Sequence, residues 1–252
     1  MLEKRIIPIL LLDHGQLVKT VNFKNPIYIG DPINTVSIFN NKEVDELFIM
    51  DITCNRLNKS PNFELLQNLA TEAFMPLGYG GGVNSMEELE KVFSIGFEKV
   101  SLNSALFNNL DLLPNAAKAF GSQSLVATID VQKDFWGNKK VFQHKNKKLH
   151  KDVIQWAQKL ENLGAGEIIL QMVYQEGTFN GYDLDLISDI SRKITIPLIT
   201  LGGAKSLEDL KLALKAGADG AGAGSLFIYH GPLRAVLVNY PTRGEIQKII
   251  ES

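Results

Sequence analysis

Shifted against itself by 121 positions, this 252-residue chain meets its own landmarks. Pro76-Leu77 falls on Pro197-Leu198, Gly81-Gly82 on Gly202-Gly203, Gly96 on Gly217 and Ser104 on Ser225, while Asp45-Glu46-Leu47 meets Gly166-Glu167-Ile168. Coincidences in one register mark an internal repeat, so residues 1–120 and 121–240 read as two copies of one half. Within each half, short apolar runs alternate with longer amphipathic ones. The candidate strands are Arg5–Leu11, Glu46–Asp51, Leu77–Gly80, Lys99–Leu102, Leu125–Asp130, Glu167–Met172, Leu198–Leu201 and Gly220–Ala223. Most are continuously apolar, as strands of a parallel sheet covered on both faces are. Helical patterns lie between them, for example Met86–Ser94 and Leu207–Ala216. Eight such units in about 250 residues predict an α/β fold, a (β/α)8 TIM barrel in one domain spanning 1–252, made of two half-barrels. The longest stretch without helix is read as Val131–His150, which is expected to form a short hairpin over the barrel mouth.

In such barrels chemistry collects at the C-terminal ends of the strands. Gly80-Gly81-Gly82 follows the third strand and Asn103-Ser104 the fourth; Gly202-Gly203 follows the seventh and Gly224-Ser225 the eighth. Glycines let a phosphate approach backbone N–H groups, and a serine hydroxyl adds a donor. The same arrangement in both halves suggests a ligand with a phosphate at each end. Asp51 and Asp130 close the second and fifth strands, where a carboxylate serves as general acid or base or as a capping group. Lys19 is a further candidate at this face. At the other end, Arg5, Glu46, Lys99 and Glu167 open strands one, two, four and six. Two charges of each sign at the barrel floor must pair, either as a structural plug or as a gate to the interior.

The formal net charge of −2 gives no general attraction for nucleic acid or an anionic membrane. One cysteine, Cys54, excludes an intrachain disulfide, and His14, His144, His150 and His230 form no metal-binding spacing, so no metal is expected. The chain starts without a signal-peptide pattern and has no apolar run long enough to span a membrane, which together with the cysteine count suggests the cytoplasm.

Several segments together resemble the HisF family, the cyclase subunits of imidazole glycerol phosphate synthase. They are the opening Met-Leu-Glu-Lys-Arg-Ile-Ile, Asp51-Ile52-Thr53, Gly80-Gly81-Gly82, Lys99-Val100-Ser101-Leu102-Asn103, Phe120-Gly121-Ser122-Gln123, Ile129-Asp130, Gly164-Ala165-Gly166-Glu167, Glu176-Gly177-Thr178, Gly181-Tyr182-Asp183 and Gly202-Gly203-Ala204. The resemblance covers essentially the whole chain. It implies a HisH-like glutaminase docked on the N-terminal face, ammonia passing the Arg5, Glu46, Lys99, Glu167 gate, and a bis-phosphorylated substrate at the C-terminal face. It implies phosphates on Gly82, Asn103 and Ser104 and on Gly177, Gly203, Gly224 and Ser225. It calls for no cofactor.

The same resemblance exposes departures. The family places an aspartate on strand one as partner to Asp130; here that position is Leu11, within Pro8-Ile9-Leu10-Leu11-Leu12. A leucine transfers no proton, and losing one general acid or base typically removes about 10²–10⁴ in rate. Asp13 lies on the same side of an extended strand and substitutes only if the loop folds back. Gln171-Met172-Val173-Tyr174 replaces the family's Thr-Ser-Ile-Asp, Glu176 replaces an aspartate, Leu201 a serine and His14 an aspartate. This pattern resembles HisF-like paralogues of surface-polysaccharide synthesis, which imply an ATP-dependent sugar amidotransferase as a further partner and acetamidino-sugar formation as the outcome. Two alternatives stand beside that reading: a working cyclase of histidine biosynthesis, and a non-catalytic phosphate-binding scaffold.

Overall fold

A computed structural model describes residues 4–149 and 151–250. Met1–Glu3 of the opening motif and His150 lie outside the described residues. Eight parallel strands close on themselves: β1 (Arg5–Asp13), β2 (Leu47–Asp51), β3 (Leu77–Gly80), β4 (Lys99–Leu102), β5 (Leu125–Lys133), β6 (Glu167–Met172), β7 (Leu198–Leu201) and β8 (Gly220–Ala223), with β8 pairing β1. The expected (β/α)8 barrel is therefore present. Each predicted strand is found; β1 and β5 run further than their apolar runs, because each continues into an antiparallel hairpin.

The period of two along each strand divides the side chains. Ile6, Leu10 and Leu12 of β1 face the helices, whereas Ile7 and Ile9 join Phe48, Met50, Val126, Ile169, Ile199 and Leu201 inside the barrel. Glycines make that interior possible. A Cβ on Gly78 would lie 2.3 Å from the Phe48 ring, and one on Gly222 2.9 Å from Ile9 Cδ1. Large side chains from neighbouring strands thus cross the axis where glycines leave room.

The repeat extends to the helices and their caps. Helix Pro32–Asn41 recurs as Val153–Asn162, Phe63–Glu72 as Leu184–Ser191, and Met86–Ile95 as Leu207–Lys215. The residues capping their N-termini recur too: Asp31 and Asp152, Asn62 and Asp183, Ser85 and Ser206, each accepting from a backbone N–H of the first turn. Strands β1 and β5 depart from the common shift. Leu11 pairs Met50, and Asp130 pairs Gln171. Met50 and Gln171 are 121 positions apart, but Leu11 and Asp130 are 119 apart. The half-repeats therefore place Leu11 and Asp130 at equivalent points of the rim, and the hairpins absorb the offset.

The helix-free stretch expected at Val131–His150 holds no helix among its described residues, and the first half has a similar one, 14–31, between β1 and helix Pro32–Asn41. After β1 the chain forms a hairpin, Gln16–Val21 with Lys24–Gly30. The second half has its counterpart in Lys139–Gln143 and Lys148–Leu149, the hairpin expected there. The two meet over the mouth, where Phe23 stacks on His144 at 5.7 Å between centroids, and Lys145 Nζ reaches beyond the first hairpin to Asn58 Oδ1 at 2.9 Å. No described helix is long and apolar enough to cross a membrane.

Candidate functional site

At the barrel floor the four predicted charges form a closed ring. Arg5 bridges Glu46 and Glu167 through its two terminal nitrogens, and Lys99 Nζ lies 2.7 Å from Glu46 and 2.8 Å from Glu167. Both carboxylates are almost fully buried, and the two bases retain about a fifth of their side-chain exposure, 22% and 20%. Burial works against the Arg5 cation, yet Glu167 and Glu46 hold its pKa above the ordinary value. Glu46 sits one residue before β2 and Glu167 opens β6, so the repeat supplies the two acids from equivalent positions. Above the ring, the barrel interior is packed with the apolar side chains of Ile7, Phe48, Val126, Ile169 and Ile199. The Ser101 and Thr128 hydroxyls hydrogen-bond there at 2.6 Å.

At the mouth, strand β5 carries Asp130 into the interior. Asn103 Nδ2 donates to its Oδ2 at 2.9 Å. Burial pushes this carboxyl up to about 7, with the Asn103 bond opposing. At the equivalent rim position of the first half stands Leu11, beside Met50. Asp13 does not fold back. Arg56 Nη2 pairs with its Oδ1 at 2.6 Å, and Thr53 Oγ1 donates to the same oxygen at 3.1 Å. Asp51 is spent on local structure as well: its Oδ1 accepts from Thr53 N at 2.8 Å and Cys54 N at 3.3 Å, capping helix Ile52–Leu57. Of Asp13, Asp51 and Asp130, only Asp130 is neither ion-paired nor spent on capping a helix.

The second half builds a cradle. Gly177, Gly203, Gly224 and Ser225 line one cleft together with Glu176 and Phe179. A Cβ would strike Thr20 O at 2.3 Å from Gly177, Gly181 O at 2.0 Å from Gly203, and Lys19 Nζ at 2.3 Å from Gly224. Backbone contacts therefore require glycine at Gly177 and Gly203, which also hold positive φ of 71° and 106°, whereas at Gly224 the flexible Lys19 side chain is the near neighbour. The last contact places the Lys19 ammonium against the cradle. The hairpin strand carries Lys19 inward, where Nζ donates to Ile9 O at 3.1 Å. Burial lowers its pKa to about 8, with Glu176 pulling the other way. The Glu176 carboxyl is raised by burial, and Gln171 Nε2 lies 3.4 Å from it. In the first half, Gly82 packs against Cys54, and Ser104 opens a short helix, Ser104–Asn108. Asn103 is drawn toward Asp130, so it links that cradle to the acid.

Sequence reading missed Arg56, which pins Asp13, because nothing in the local pattern joins residues so far apart in the chain. It also missed the first hairpin, although the repeat signals it.

The family described as "Histidine biosynthesis protein" matches residues 5–234. The chain is 47% identical, over 96% of its length and 97% of the relative's, to a Pseudomonas aeruginosa protein provisionally named imidazole glycerol phosphate synthase subunit hisF2. It is 42% identical to a Vibrio vulnificus protein provisionally named subunit hisF3, over 100% of this chain and 98% of the relative. It is 36% identical to the Streptomyces coelicolor imidazole glycerol phosphate synthase subunit HisF, over 92% of this chain and 93% of that one.

Proposed function

The chain belongs to the histidine biosynthesis protein family as a HisF-type barrel, and from that premise we propose that it delivers ammonia for sugar amidation without cyclising a histidine precursor. A HisH-like glutaminase binds the N-terminal face and releases ammonia at the Arg5–Glu46–Lys99–Glu167 ring. Neutral ammonia then follows the apolar axis. A cation entering the same interior meets a large desolvation penalty, so the path favours the reactive, uncharged form. At the mouth an ATP-dependent amidotransferase activates an acetamido group and takes the ammonia to form an acetamidino sugar. A phosphorylated small molecule occupies the glycine cradles and reports to the glutaminase that the mouth is ready.

The observation that carries this reading is Leu11 at the rim position equivalent to Asp130. Cyclisation by an acid–base pair needs a second proton-transferring group across the mouth. The nearest alternative along β1, Asp13, is held by Arg56 and Thr53. The numbered HisF names of the relatives at 47% and 42% identity agree with a paralogue beside a histidine-pathway subunit. Complementation provides the test. A histidine auxotroph lacking its own HisF is expected to stay auxotrophic when it expresses this chain with its glutaminase. Growth without histidine would overturn the proposal in favour of a working cyclase.

A further inference from the structure

The two halves differ at one point of the mouth. After the short helical turn Ser225–Phe227, the second half inserts a small hairpin in which Tyr229 pairs Val236 and His230 pairs Ala235. Shifted back by 121 positions this segment falls on 108–115, where the first half has a turn and the start of helix Leu112–Phe120. The hairpin therefore has no counterpart. It is anchored by Leu237 N donating to Ile228 O and Asn239 N to Phe227 O, both at 2.8 Å. Its turn closes with Arg234 N donating to Gly231 O at 3.1 Å.

That turn aims one side chain at the candidate cradle. The Arg234 guanidinium carbon lies 4.8 Å from the centre of the Phe179 ring, and Phe179 lines the same cleft as Gly177, Gly203, Gly224 and Ser225. Both partners sit in the left-handed region, Phe179 at φ 59° and Arg234 at φ 51°. Non-glycine residues adopt that region only when their surroundings dictate it, and such positions collect at ligand clamps. A guanidinium held over a ring still carries N–H donors for other partners. A phosphoryl group takes those donors in pairs.

Resting on the reading of the cradles as phosphate sites, we propose that Arg234, held over Phe179, closes the second-half cradle by donating to the phosphoryl group of a phosphomonoester. The two cradles are then unequal. The second binds phosphate more tightly, and the asymmetry orients a ligand that carries phosphate at both ends.

Titration of the full chain with inorganic phosphate, followed at backbone amides by NMR, reads the two cradles separately, through Gly203, Gly224 and Ser225 and through Gly82 and Ser104. The wild type is expected to show tighter binding at the second set. Arg234→Ala is expected to weaken that set about tenfold, leave the first unchanged and keep the thermal midpoint. Arg234→Lys, which keeps the charge without the plane, is expected to fall between, with Phe179→Leu resembling it. Arg234→Ala binding like the wild type at the second set would overturn the Arg234 assignment and leave the phosphate sites standing. Equal affinity in Arg234→Lys and wild type would overturn the need for a guanidinium. No amide responding to phosphate in the wild type would overturn the phosphate reading of the cradles and the assignment with it.

Discussion

Single side chains decide the chemistry of this mouth. Asp130 is buried and its carboxyl titrates near 7, about three units above its ordinary value of 3.8. The unfolded chain loses this proton at lower pH than the folded one. The folded state is therefore favoured below about pH 4, and that advantage disappears as pH rises through about 7. Asp130→Asn removes the penalty, so its stability is expected to exceed the wild type's by roughly 2–4 kcal/mol at pH 8 and to match it near pH 4. Denaturant melts at the two pH values check this; an equal gain at both would show that the side chain acts through packing. At the floor, Lys99→Ala leaves Glu46 and Glu167 facing one another with Arg5 alone between them. Removing one member of a buried charge network costs about 3 kcal/mol. The variant is also expected to hydrolyse glutamine in its complex while losing ammonia to solvent. Coupling equal to the wild type's would remove the gate from the account.

Elements show how much a pattern can disclose. The continuous apolar runs and the shared shift disclosed all eight barrel strands, and the caps Ser85 and Ser206 follow from the same repeat. Each Ser→Ala is expected to lower stability by about 1 kcal/mol, and the double variant by the sum, since the helices belong to opposite halves. Less visible was the hairpin Gln16–Gly30, because its register is interrupted between Leu17 and Val18 and again between Lys19 and Val21, which blurs strand periodicity. Gly203 was legible within a glycine pair and Gly224-Ser225 within the repeat, whereas Gly177 came only with the family resemblance. The pinning of Asp13 and the clamp of Arg234 on Phe179 were not legible, since both join distant segments through side chains alone. Where the hairpins meet, Phe23 stacks on His144. An aromatic pair contributes about 0.5–1.5 kcal/mol, so Phe23→Ala is expected to speed amide exchange in both hairpins by about 2- to 12-fold. Barrel strands should keep their protection. Faster exchange confined to Gln16–Gly30 would mean the hairpins open independently.

Taken whole, the molecule is a duplicated barrel whose two ends have diverged differently. The floor keeps a ring drawn from four strands, with both acids at repeat-related positions. The mouth has lost its symmetry at Leu11 and gained a hairpin in one half only. In the proposed function that division separates conduction of ammonia from the chemistry that consumes it, and a direct trial is available. Purified protein is given the ribulosyl formimino substrate of the HisF reaction with excess ammonium salt, which bypasses any glutaminase. No cyclase turnover above background is expected, while phosphate still shifts the amides of the glycine cradles. Turnover near that of a histidine-pathway cyclase would contradict the proposed function and show that another group performs the proton transfer that Leu11 cannot.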